Sequence, residues 1–113
     1  MRLLPRAICK LLPSLDADLP DDPTIVTKLF FPIGSAVWFV VAGNRTEDGD
    51  MLLFGYVDLG GGNPEWGYIS LRELASVRVY GLGVERDLGF RPVLASQLGL
   101  PIYPRGADEQ QAS

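Results

Sequence analysis

A chain of 113 residues with a net charge of −4, 47% hydrophobic and 21% charged, has the length of one ordinary domain, about 100–150 residues, and lies outside the composition of disordered segments. The acidic balance argues against broad attraction to nucleic acid, because that attraction comes from neutralising phosphates. The absence of histidine and the single cysteine, Cys9, remove the commonest general base, the commonest metal ligand and any internal disulfide, and fit a reducing, cytoplasmic compartment.

At the start, Leu3, Leu4, Ala7, Ile8, Leu11 and Leu12 recur at helical spacing, with Arg6 and Lys10 on the other face. Pro5 suits a first helical turn and Pro13 stops the helix. Pro5, Arg6 and Lys10 also interrupt any secretion-signal core, and no stretch approaches the roughly 20 apolar residues that cross a bilayer. Residues 14–23 hold four aspartates and two prolines and read as a solvated connection.

Three strands are expected next: Ile25 to Phe31, Ala36 to Ala42 and Met51 to Val57. The turn-rich segment 43–50 joins the last two as a hairpin. Strands built in this order make a meander, and their near-continuous apolar runs imply that both faces are partly covered. After the Gly60-Gly61-Gly62-Asn63-Pro64 loop the period changes. Ser70, with Glu73 three residues on, fits a capping box, and Leu71, Leu74 and Val77 share one face of a short helix. Val79 to Phe90 is extended again, broken by Gly81, Gly83 and Gly89, and Ala95 to Leu98 reads as a helical turn.

The expected fold is therefore α+β, with an N-terminal helix, an antiparallel meander of about four to five strands and one short capped helix on the sheet. Residues 1–104 form one domain and the polar segment 105–113 a disordered tail. Such a sheet keeps an open edge, and pairing of that edge into a homodimer is one way to cover it.

These motifs together resemble the small bacterial family catalogued as domain of unknown function 2958. The resemblance rests on an ordered series: the N-terminal leucine-rich helix, Asp22-Pro23, Lys28-Leu29-Phe30-Phe31-Pro32, Trp38, Asp48-Gly49-Asp50, Phe54-Gly55-Tyr56-Val57-Asp58, Glu65 with Gly67-Tyr68, Ser70-Leu71, Glu73-Leu74 and Glu85-Arg86-Asp87. It spans roughly residues 3–95. Loop 59–64 is more glycine-rich than the family's usual acidic version, and Trp66 stands where a smaller aliphatic residue is more frequent. The resemblance implies a mobile-element setting, on conjugative plasmids, phages and integrated elements near DNA-processing and anti-restriction genes. It supplies no catalytic residues.

The residues themselves offer a carboxylate route to enzyme chemistry through Asp48, Asp50, Asp58, Glu65, Glu85 and Asp87. Paired carboxylates act as acid and base or hold Mg²⁺, and Glu85 and Asp87, two apart on a strand, point to one face with Arg86 on the other. A solvated strand and an ordinary hairpin turn explain the same residues without chemistry. The glycine loop lacks a following Gly-Lys-Ser/Thr, so it is a turn and not a phosphate cradle. Ser35, Ser70, Ser76 and Ser96 have no histidine to activate them.

The reading these features favour is a non-enzymatic interaction module that needs no cofactor and assigns no metal ligands. Its partner is a protein, a nucleic-acid-processing or defence component such as a nuclease or CRISPR effector, with neither direct nucleic-acid binding nor membrane attachment. Trp66, Tyr68, Arg72 and Arg86 are the expected contact residues, the aromatics as anchors beside the loop and the arginines as a small basic patch. The competing reading is a divalent-metal phosphoesterase using Asp58, Glu65, Glu85 and Asp87.

Overall fold

Alternating burial along the chain builds a five-stranded antiparallel sheet with apolar residues on both faces. The computed structural model describes residues 3–101. In chain order the elements are α1 (Arg6–Cys9), β1 (Thr24–Ile25), β2 (Thr27–Phe30), β3 (Val37–Arg45), β4 (Met51–Asp58), β5 (Glu65–Ser70), α2 (Leu71–Ser76), β6 (Glu85–Arg86), β7 (Val93–Leu94) and a 3₁₀ turn (Ala95–Leu98). The main sheet runs β5-β4-β3-β2-β6, and β1 pairs β7 in a separate two-stranded sheet. The α+β class, the meander and the short capped helix all stand as the sequence reads them. The 105–113 segment lies outside the described residues.

Each face of the sheet has its own core. On one side Leu29, Trp38, Val40, Leu53 and Ile69 pack with Leu4 and with Leu74 of α2. On the other, Val41, Ala42 and Phe54 pack with Ile25 and Ala95, joined by Leu15, Leu19, Phe39, Trp66, Phe90 and Leu100. The apolar runs of β3 and β4 follow from this double burial. A register shift between Val40 and Ala42 turns Val41 and Ala42 together into the second core after Val40 has faced the first, as a bulge does. Gly55 sits opposite Val40. A Cβ there would collide with the Phe39 carbonyl oxygen and come within 2.9 Å of its carbon and 3.0 Å of Val40 Cα.

Three expectations are refined. The N-terminal helix lies where expected but is a single turn, Arg6–Cys9, shorter than the apolar spacing through Leu12 implies. Its bonds tighten to i→i+3 at Leu11 and Leu12, and Pro13 has no N–H to continue them. Leu4 is buried and Leu3, Ile8 and Leu12 are partly so, whereas Leu11 is exposed, so the periodicity records packing more than helix length. Residues 65–70 form a strand, pairing β4 from Leu52↔Ser70 to Val57↔Glu65, where the sequence marks only the approach to a helix. Between Val79 and Phe90 the extended part is two residues of β6 and a Val79↔Leu82 bridge.

Two long-range ties close the second core. Ala95 N–H donates to the Pro23 carbonyl at 2.9 Å. The Asp22 carboxylate accepts the Ser96 N–H at 2.8 Å and the Ser96 hydroxyl at 2.6 Å across 74 residues. No helix among the described residues is long and apolar enough to cross a membrane.

Candidate functional site

The aromatic pair expected at a contact surface comes from β5, which among the described residues is an edge strand of the main sheet. Trp66 and Tyr68, two apart, lie on one face, opposite Tyr56 and Phe54 of β4. The Trp66 ring stacks on Phe54 with centroids 6.1 Å apart and meets Tyr56 edge-on at 5.3 Å. It is half-buried in the second core. Tyr68 touches Phe54 edge-on at 5.0 Å but is 67% exposed. Beside it, Leu59 in the glycine loop is 66% exposed. Two adjoining hollows of about 310 and 300 Å³ share Val57, Leu59 and Tyr68 and run along this edge toward α2.

The two arginines are elsewhere. Arg86 lies on β6, at the opposite edge of the sheet, paired with Leu29. Four strand steps of about 4.8 Å set it roughly 19 Å from β5. By register it shares the face of Leu29 and Trp38, whereas Trp66 shares that of Tyr56 and Phe39. Arg72 is in the first turn of α2, and its guanidinium is held by the β3–β4 turn, donating to the Asp48 carbonyl at 2.7 Å and lying 3.4 Å from the Asp48 carboxylate. The structure brings Trp66 and Tyr68 together and leaves Arg72 and Arg86 apart from them.

The carboxylates are likewise dispersed. Asp58, Val37, Phe30 and Glu85 form one row across four strands, so Asp58 and Glu85 are about 14 Å apart. Glu65 lies beyond β4, on the face opposite Asp58. Asp58 accepts the Gly60 N–H, and Asp87 accepts the Gly89 N–H and lies 4.0 Å from Lys28. Among the described residues no three Asp, Glu or Cys side chains gather as metal ligands.

One polar cluster does form, and the sequence does not announce it. The β3–β4 turn folds so that Asp50 Oδ1 accepts the N–H of Met51 at 2.6 Å and of Arg72 at 2.8 Å, while Oδ2 accepts the Ser70 hydroxyl at 2.5 Å. Ser70 Oγ in turn accepts the Glu73 N–H at 3.1 Å. The expected cap by Ser70 is present, and Asp50, reaching across 22 residues, serves the donor at Arg72. Helix N-terminal donors need such acceptors because they have no partner within the helix. Gly49, with φ +87°, provides the turn its left-handed residue. The one clue in the sequence is the acidic turn preceding a helix start that has more free donors than Ser70 can accept.

These bonds hold the Asp50 carboxyl below its usual range, the Ser70 hydroxyl being the largest cause and the Arg72 N–H the next. Asp48 is lowered as well, first by the Thr46 hydroxyl and then by the Asp50 N–H. A carboxyl whose folded value lies below its unfolded value, about 4 for aspartate, stabilises the fold fully above the unfolded value. That contribution is lost as the pH falls through the folded one. Thermal melts should therefore drop between pH 5 and pH 3, and Asp50→Asn should flatten that part of the curve. Parallel curves for the two proteins would refute the assignment.

Compared with known families, residues 6–110 match the profile described as Protein of unknown function (DUF2958). No curated protein and no solved structure matches the chain.

Proposed function

The chain belongs to the DUF2958 family, and on that premise we propose that it is a non-enzymatic protein-interaction module that binds and modulates a nucleic-acid-processing or defence complex, a nuclease or CRISPR effector. The observation that carries this reading is the outer edge of β5. A strand edge presents a row of backbone donors and acceptors that another chain can pair with. Here the edge has an exposed tyrosine, an exposed leucine and an apolar hollow beside it, the anchor-and-pocket arrangement on which interfaces depend. Tyr68 acts as the anchor, with its ring already oriented by Phe54. Trp66 supports it from within the core, and Arg72 lies next along the chain. Arg86 belongs to a separate surface.

The partner class follows from the family resemblance, which associates such proteins with mobile elements and anti-restriction genes, and is an argument by association. The setting proposed is the cytoplasm of a bacterium that carries the element.

An affinity pull-down from the native host, read by mass spectrometry, tests the reading. A stoichiometric effector subunit is expected, and Tyr68→Ala should weaken its capture by about tenfold or more, the usual scale of a hot-spot aromatic. Arg86→Ala should leave capture unchanged. Equal recovery with native protein and Tyr68→Ala would remove β5 as the contact. Recovery of the chain's own second copy would replace the effector with a homodimer.

A further inference from the structure

Three arginines from three separate elements line one cleft of this acidic protein: Arg6 of α1, Arg45 at the end of β3 and Arg72 of α2. The cleft has a volume of about 580 Å³, within the roughly 300–1,000 Å³ typical of small-molecule sites. It lies on the helix side of the sheet, over Met51.

The charges in this cleft are unevenly matched. Arg72 has a carboxylate partner in Asp48. Among the described residues Arg6 and Arg45 have none. Asp50 forms part of the wall, yet both its oxygens are taken up by Met51, Arg72 and Ser70. Asp48 is occupied by Thr46, by the Asp50 N–H and by Arg72. The acidic groups nearest the cleft are engaged by donors of their turn and of Ser70 and Arg72, while among the described residues Arg6 and Arg45 have no ion-pair partner. A guanidinium is a planar fork of donors that fits phosphate oxygens two at a time.

We infer that this cleft binds a small phosphate-bearing ligand of nucleotide size, with Arg6 and Arg45 as the principal phosphate contacts and Arg72 completing the wall. A nucleic-acid duplex fits the surface poorly. It carries a charge about every 1.7 Å and calls for an extended basic track, whereas Arg78 lines a different hollow and Arg86 lies on the far sheet edge.

Inorganic pyrophosphate is the probe. It would be titrated into the full chain by calorimetry at low ionic strength, while alkylation of Cys9 by iodoacetamide is followed in parallel. Cys9 lines the same cleft and is the chain's one cysteine, so its protection reports occupancy directly. One saturable site is expected, with alkylation slowed by pyrophosphate and unaffected by sodium chloride at matched ionic strength. Arg6→Ala and Arg45→Ala should each weaken binding about tenfold or more, the scale of a lost charge-assisted contact. Both residues are exposed and neither anchors an ion pair, so thermal melts should show both variants folded. Arg78→Ala should bind as the native chain does. The inference fails if no saturation is reached at millimolar pyrophosphate, if Arg78→Ala loses affinity equally, or if duplex DNA binds while pyrophosphate does not.

Discussion

Gly55→Val is expected to prevent folding of the native sheet. The glycine lies opposite Val40, where the β3–β4 register is about to shift, and the two backbones approach so closely there that even a methyl would meet the Phe39 carbonyl and Val40 Cα. Those atoms are main chain in the centre of the sheet and cannot swing aside as a flexible side chain would. Relief would require β3 and β4 to separate, which breaks their ladder and opens both cores at once. Overpacking in a well-filled core costs about 1–3 kcal/mol when side chains can adjust, and a main-chain collision lies at or above the top of that range. Circular dichroism and a thermal melt would check this; a cooperative transition within a few degrees of the native one would contradict the close approach.

Leu53→Ala removes volume where Gly55→Val adds it. Leu53 is fully buried at the centre of the first core, on β4 between Gly43 and Ile69. Truncating such a leucine costs about 2–5 kcal/mol, the lost transfer energy plus the cavity left behind. The strands around it are held by ladders on both sides and cannot collapse freely, which favours the upper half of that range. At about 4 °C per kcal/mol for a domain of this size, the midpoint should fall by roughly 14–20 °C. Chemical denaturation should show a lower midpoint with an unchanged slope. Exposed Leu88 provides the control, since Leu88→Ala should change little. A small loss at Leu53 would mean that the core rearranges to fill the space.

The sequence makes the central strands legible because burial leaves a composition signal. Residues 36–42 and 51–57 are apolar on both faces, and only a strand covered twice needs that. Ser70 as a helix cap is legible for a similarly local reason. β5 is harder to read, with Gly67 at its centre and a glycine-proline loop before it. It holds its shape through pairing with Leu52 to Val57, a relation between distant residues that no local pattern contains. The candidate site divides the same way. That Trp66 and Tyr68 share a face follows from their spacing. That Trp66 is tucked against Phe54 and Tyr56 depends on register, and that Arg86 is at the far edge depends on strand order. The Asp50 clamp on α2 and the arginine cleft join elements far apart in the chain, so beyond the acidic turn that hints at the clamp neither can be read from local pattern.

The tie between Asp22 and Ser96, with β1 against β7, also sets an order of events during synthesis. The first core draws on residues 4 to 84 and can begin to assemble while later residues are still being added. The second needs Ala95. At about 5–20 residues per second, the 41 residues from Phe54 to Ala95 take roughly 2–8 s to make. For that interval the face of the nascent sheet carrying Val41, Ala42 and Phe54 lacks Phe90, Ala95 and Leu100, and the ribosome-bound chain exposes apolar surface there. Chaperone capture is most probable in that window, and a stalled or truncated product ending before residue 93 would remain in it permanently.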